Sequence, residues 1–189
     1  MQQLTEIRWH ARGGQGGVTA AKMTAEVALG QDKYFQAFPE YGPERSGAPL
    51  VAFTRLADEP IQIYSAIEHP DYIMVLDHTL IGTVDIAAGA KDDATIIINA
   101  EEDAATLSVR GGLDKWKVYT VPATKIALET IKRAIPNTPL IGALTKVSGL
   151  FEIDGVVEQV RESLSKKFGD EVVNANLEAV RRGYDEVSG

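Results

Sequence analysis

Arg12, Gly13, Gly14, Gln15, Gly16 and Gly17 follow directly on the alternating run that carries Ile7 and Trp9. Four glycines around one glutamine, where a strand hands over to a helix, imply backbone that turns sharply and admits close approach of another group. Free N–H groups at the start of that helix, with the positive end of its dipole, suit a phosphate or carboxylate, and Arg12 would reinforce them. Two familiar phosphate signatures fit badly. A dinucleotide fingerprint counted from Gly14 through Gly16 reaches Thr19 where its last glycine should stand, and no acidic residue closes the next strand. A P-loop needs Lys followed by Ser or Thr after its last glycine, whereas Lys22 is followed by Met23, too far along the helix. Two readings stay open: a ligand loop, or glycines that only let the first helix lie close on a sheet.

A second dense stretch covers residues 38–49, with prolines at 39, 43 and 49 and glycines at 42 and 47. Regular structure is excluded through most of it, while Tyr41, Glu44 and Arg45 bring a ring, a carboxylate and a guanidinium to close quarters beside Gly42 and Pro43. A plain turn needs fewer residues, so the excess calls for a role, the bland alternative being a loop closed by a Glu44–Arg45 contact. Asp77, His78 and Asn99, with residues 120–122, fall at the ends of later apolar runs. Asp77 and His78 read first as capping or surface groups, because adjacency alone does not make an acid–base pair. His10 and His69 have no partner at metal-ligand spacing, so no metal site is expected.

The elements that must position these residues alternate in type. Residues 4–10 read as a half-buried strand, and Val18, Ala21, Ala25 and Leu29 recur at helical spacing until Gly30 stops them. Residues 34–38, 72–76, 95–98 and 116–121 read as further strands, with crossover helices over 80–88 and 123–135. Residues 50–55 and 61–64, flanking Ala57, Asp58, Glu59 and Pro60, suggest an inserted antiparallel hairpin. Helices follow over 140–150, 156–168 and 172–184. The expected fold is therefore α/β, a mostly parallel mixed sheet sandwiched by helices, with an inserted antiparallel hairpin and a helical C-terminal part. Chemistry in such a sheet gathers at the carboxyl ends of the strands.

Composition narrows the partners. With 189 residues, 44% of them hydrophobic, the chain reads as one domain over residues 1–189 with a substantial core. It has no cysteine, so it offers no disulfide, no cysteine nucleophile and no usual iron–sulfur ligand. A net charge of −8 without a basic run argues against nucleic acid or an anionic membrane as partner. No apolar stretch approaches the roughly 20 residues that span a bilayer, and the amino terminus lacks a signal-peptide layout, which predicts a cytoplasmic protein.

The two loops together carry a resemblance. R-G-G-Q-G-G at residues 12–17, followed by Y-G-P-E-R-S-G-A at 41–48, resembles the gamma subunit, or gamma domain, of 2-oxoacid:ferredoxin oxidoreductases, most of all the pyruvate synthase type. Asn137 to Leu144 and residues 174–184 resemble that family's helical part, so the likeness spans nearly the whole chain. It implies oxidative, reversible decarboxylation of a 2-oxoacid with coenzyme A as acyl acceptor and ferredoxin as electron acceptor. Thiamine diphosphate would belong to alpha and beta partners and the iron–sulfur clusters to a ferredoxin-like delta partner, with no cofactor bound by this chain alone. Carried over by motif, Arg12, Gly13, Gly14, Gln15, Gly16, Gly17, Tyr41, Gly42, Pro43, Glu44 and Arg45 would face coenzyme A or a partner subunit. No residue is singled out as catalytic base or nucleophile. An indolepyruvate or 2-oxoglutarate enzyme remains as an alternative, and a non-enzymatic nucleotide-binding module as one of another class.

Overall fold

The computed structural model describes residues 4–30, 33–40 and 47–189. Its six strands, β1 (Leu4–Arg12), β2 (Tyr34–Pro39), β3 (Pro49–Ala57), β4 (Tyr72–Val75), β5 (Thr95–Asn99) and β6 (Lys117–Val121), form one sheet in the order β2-β3-β1-β4-β5-β6. β1, β4, β5 and β6 run parallel, while β3 is antiparallel to both β1 and β2. The mixed α/β sheet expected from the alternation is thus present.

Strand alternation sorts the core onto two faces. Ile7, Trp9, Ala11, Met74, Leu76 and Ile97 point to one face, Ile73, Val75, Ile96 and Ile98 to the other. The first face is covered by α1 (Gly17–Leu29), α3 (Ala123–Thr130), α4 (Asn137–Ser148), α5 (Ile153–Ser165) and α6 (Asp170–Glu186). The second is covered by α2 (Ala104–Gly111) and the connector after β4. Where α4 and α6 cross, a Cβ on Gly142 would lie 1.9 Å from the Val180 carbonyl oxygen, and one on Gly183 would lie 1.9 Å from that of Pro139. Only hydrogen at both positions lets the two backbones meet.

Two expected elements take other forms. The hairpin partner over 61–64 is not a strand: both edges of β3 are already taken by β2 and β1, and Tyr64 is 87% exposed. The inserted antiparallel hairpin is instead β2–β3. The buried Arg55 guanidinium holds the displaced segment, donating to the carbonyls of Ile63 at 3.4 Å and Ala66 at 3.2 Å while its Nε donates to Glu6 at 2.8 Å. Residues 80–88 do not form a helix either. After a 3-10 turn at His78–Leu80, Gly82 adopts φ +80°, which leaves the helical path, and Arg8 donates to the carbonyls of Ile86 (3.0 Å) and Ala88 (2.7 Å), anchoring the segment to β1 as irregular chain. The β5–β6 crossover is α2, absent from the sequence reading and capped by Asp103, whose carboxylate accepts from Thr106 N–H. α3 stops at Thr130, five residues short of expectation, and Lys132 then turns at φ +61°.

Among the described residues, no helix is long and apolar enough to cross a membrane.

Candidate functional site

Because β3 runs backwards, its first residue meets the last residue of β1: Arg12 pairs with Pro49. The end of the second motif therefore lies on the rim that carries the glycine loop. Gly13 N–H donates to the Ala48 carbonyl at 3.0 Å, Gly47 N–H to the Gly13 carbonyl at 3.3 Å, and Arg12 Nη1 to the Gly47 carbonyl at 3.3 Å. The two stretches singled out in the sequence are thus joined at Gly13 and Gly47. Tyr41, Gly42, Pro43, Glu44 and Arg45 lie outside the described residues.

The glycines divide their labour. Gly14 (φ +98°) and Gly16 (φ +83°) adopt backbone that favours glycine. A Cβ on Gly16 would touch Asn137 Nδ2 at 3.0 Å, and one on Gly17 would lie 2.7 Å from the Ala11 Cβ. Those two let α1 sit tightly on β1 and beside the start of α4. Gly14 is different: it is exposed, with nothing within 4 Å of where its Cβ would stand. Directly below, α1 begins without any side-chain cap, and its first helical bond is Ala20 N–H to the Gly16 carbonyl. The earlier N–H groups of that turn point out of the helix end, where an anion is favoured.

Asp77, at the carboxyl end of β4, ties the loop down. One carboxylate oxygen accepts from Thr79 N–H (2.9 Å) and Thr79 Oγ1–H (2.6 Å); the other accepts from Gln15 Nε2 (2.8 Å) and lies 3.2 Å from Arg12 Nε. Gln15 Oε1 in turn accepts from Arg12 N–H at 2.8 Å. Arg12 also donates to Thr79 Oγ1 at 3.1 Å. Burial alone would raise the Asp77 carboxyl, but the donors Thr79 and Gln15 and the Arg12 charge outweigh it and hold the group below the usual carboxylate range. Much of the guanidinium assigned from sequence to an incoming anion is thus engaged by Asp77, Thr79 and the Gly47 carbonyl.

The other rim residues do different work. Asn99 donates to the Leu76 carbonyl (2.8 Å) and Thr124 Oγ1 (2.7 Å) and accepts from Thr124 N–H (3.0 Å), tying β4, β5 and α3 together. Thr120 exchanges backbone bonds with Ser188. His78 is exposed, and His69 Nδ1 lies 2.8 Å from the Gly89 carbonyl oxygen. His10 is buried against Arg8, whose Nε is 3.2 Å from its Nε2; burial first, then the Arg8 charge, pushes its pKa down to about 4, against a smaller opposing effect of the Ile86 carbonyl. Among the described residues no group of three His, Cys, Asp or Glu could hold a metal ion. Sequence reading missed Thr79 and Asn137 at the loop and ranked Asp77 as a cap or surface group. Asp77 does cap the 3-10 turn, but no spacing rule connects it to Gln15, 62 residues earlier.

The site is thus an α/β sheet whose glycine loop is latched to Gly47 and Ala48 on one rim. The model of the pyruvate ferredoxin/flavodoxin oxidoreductase family matches residues 6–186, and the chain belongs to that family. Within it, the chain is 46% identical over 182 residues to pyruvate synthase subunit PorC of Thermotoga maritima, covering 96% of this chain and 94% of the relative. A crystal structure of pyruvate oxidoreductase subunit PORC from the same organism superposes with TM-score 0.87 at 42% identity, covering 98% of each chain. The common gamma subunit of the pyruvate/ketoisovalerate oxidoreductases of Pyrococcus abyssi is 42% identical over 97% of both chains. A 2-oxoglutarate:ferredoxin oxidoreductase from Magnetococcus marinus, solved with 2-oxoglutarate, coenzyme A and succinyl-CoA bound, shares the fold at 18% identity and TM-score 0.74; 98% of this chain matches 31% of that one.

Proposed function

We propose that this chain is the gamma subunit of a pyruvate synthase, one domain over residues 1–189 that assembles in the cytoplasm with alpha, beta and ferredoxin-like delta subunits or their fused equivalents. The complex decarboxylates pyruvate oxidatively with coenzyme A to acyl-CoA and CO2, reversibly, and passes the electrons to ferredoxin. Thiamine diphosphate and the iron–sulfur clusters are assigned to the partners; with no cysteine, the donor set of this chain does not fit a cluster.

The chain's own task is to receive coenzyme A at the rim. Coenzyme A carries a pyrophosphate and a ribose phosphate, which suit backbone N–H groups at a helix start and arginine donors. Gly13, Gly14, Gly16 and Gly17 shape that start and Arg12 and Gln15 brace it, while Tyr41, Gly42, Pro43, Glu44 and Arg45 are assigned to coenzyme A or a partner subunit by their motif alone. One observation carries this reading: Gly14 has open space above it, beside an uncapped helix N-terminus, while Gly16 and Gly17 are filled by neighbours. In the complete complex Gly14→Val should raise the KM for coenzyme A tenfold or more, and clearly more than Gly14→Ala, which shares the strain at φ +98° with less bulk, with assembly and the KM for pyruvate unchanged. Unaltered coenzyme A dependence would refute the assignment.

A shared subunit is the second reading, favoured by the Pyrococcus abyssi relative, which is named for pyruvate and ketoisovalerate enzymes together. The partner subunits then choose the 2-oxoacid, and turnover of ketoisovalerate by a second complex containing this chain tests it.

A further inference from the structure

We propose that Asp77 is a positioning residue for acyl transfer: its carboxylate, delivered by the end of β4, orients Gln15 and Arg12 so that Gly14 and the start of α1 stay open to coenzyme A. The proposal rests on the reading of that loop as the coenzyme A-facing surface.

The hydrogen-bond chain has one polarity. Arg12 N–H donates to Gln15 Oε1, Gln15 Nε2 donates to Asp77, and Thr79 N–H and Oγ1–H donate to Asp77 from the opposite side. Gln15 Nε2 and both Thr79 donors converge on one acceptor-only group, so neither amide orientation nor hydroxyl rotation offers an equivalent arrangement. Turning the Gln15 amide over would set its NH2 against Arg12 N–H, donor facing donor. The same carboxylate faces Arg12 Nε at 3.2 Å, and Arg12 Nη1 reaches the Gly47 carbonyl at 3.3 Å. One carboxylate from β4 thereby fixes both loops across the rim. Asp77 does this from the side of the loop, while the open space lies above Gly14. It therefore acts through Gln15 and Arg12.

The polarity supplies a test that a merely structural role would not satisfy. Asp77→Asn keeps the shape but offers one oxygen and one NH2, so either Thr79 or Gln15 must face a donor. In the assembled complex, this variant should raise the KM for coenzyme A about tenfold while the KM for pyruvate and the subunit composition stay as in the parent. Adding Gln15→Glu restores the chain from Thr79 to Arg12 N–H at unchanged net charge: the amide at position 77 accepts from Thr79 and donates to the carboxylate at position 15, whose other oxygen accepts from Arg12 N–H. Only the ion pair from Arg12 Nε to position 77 is lost, Nε keeping Thr79 Oγ1 at 3.3 Å. The double variant should bring the coenzyme A KM back to within about threefold of the parent. Thr79→Val, measured alongside, strips a donor from the same carboxylate and an acceptor from Arg12, and should raise that KM by about threefold even where the Asp77 variant assembles poorly. An unchanged coenzyme A KM in Asp77→Asn and Thr79→Val, an equal loss in kcat and every KM, or a double variant no better than the single one would each overturn the proposal. If Gly14→Val raises the coenzyme A KM and Asp77→Asn does not, the positioning role alone fails. If neither moves it, the coenzyme A reading fails with it.

Discussion

Replacing Gly183 by alanine should separate α6 from α4. The added Cβ would stand 1.9 Å from the Pro139 carbonyl oxygen and 2.6 Å from its carbon, whereas carbon and oxygen rest at about 3.3–3.6 Å. The helices must therefore part by more than about 1 Å, and overpacking of that kind costs roughly 1–3 kcal/mol. The same movement stretches the buried bond from Thr138 Oγ1 to Asn176 Oδ1, now 3.1 Å, for about another 1 kcal/mol. A total of about 3 kcal/mol should lower Tm by roughly 6–12 °C in a chain of this size. Gly142→Ala, whose Cβ would meet the Val180 carbonyl oxygen at 1.9 Å, should cost about as much. Because one retreat relieves both clashes, the double variant should lose clearly less than the sum of the singles. Guanidinium denaturation of the four proteins, with slopes compared, measures this cycle. Single variants losing under about 1 kcal/mol, or strictly additive losses, would refute the picture of backbones meeting at these glycines.

Two further outcomes can be checked with the same apparatus. His10 titrates at about 4 in the folded chain and near 6.5 unfolded, so its neutral form contributes stability that is complete above about pH 6.5 and lost as the pH falls towards 4, about 3 kcal/mol in all. Stability measured from pH 7 to 4 should fall by about that much less in His10→Gln than in the parent; parallel curves would contradict it. Asn99→Ala strips the Leu76 carbonyl and both Thr124 groups of their partner. It should cost about 2–4 kcal/mol without altering the coenzyme A KM of the assembled complex, and a selective change in that KM would move Asn99 into the site.

The sheet was legible wherever apolar runs were continuous. Met74, Val75 and residues 95–98 read as buried strands and are buried ones. Reading failed where a side chain far along the chain redirected the backbone. Nothing local to residues 80–88 announces that Arg8 will claim their carbonyls, and nothing near Ile61 tells that β3 has no free edge. The glycine loop was found from its composition, yet composition could not separate its members. Packing against Ala11 and Asn137, which are 6 and 121 positions away from Gly17 and Gly16, is what distinguishes those two from Gly14. Asp77 was visible as a residue and invisible as a latch for the same reason.

The contact between Gly16 and Asn137 also sets an order in time. The glycine loop leaves the ribosome before the elements that hold it, and pairing of β1 with β3 can bring Gly13 against Gly47 once β3 has emerged. Asp77 arrives later, and Asn137 later still. Thr138, its neighbour, is held by Asn176 in α6, which emerges later again. A loop synthesised before its supports is thus finished only after them. A partner subunit that engages the emerging chain meets an incomplete rim, and the completed one is a mark that translation has passed α6.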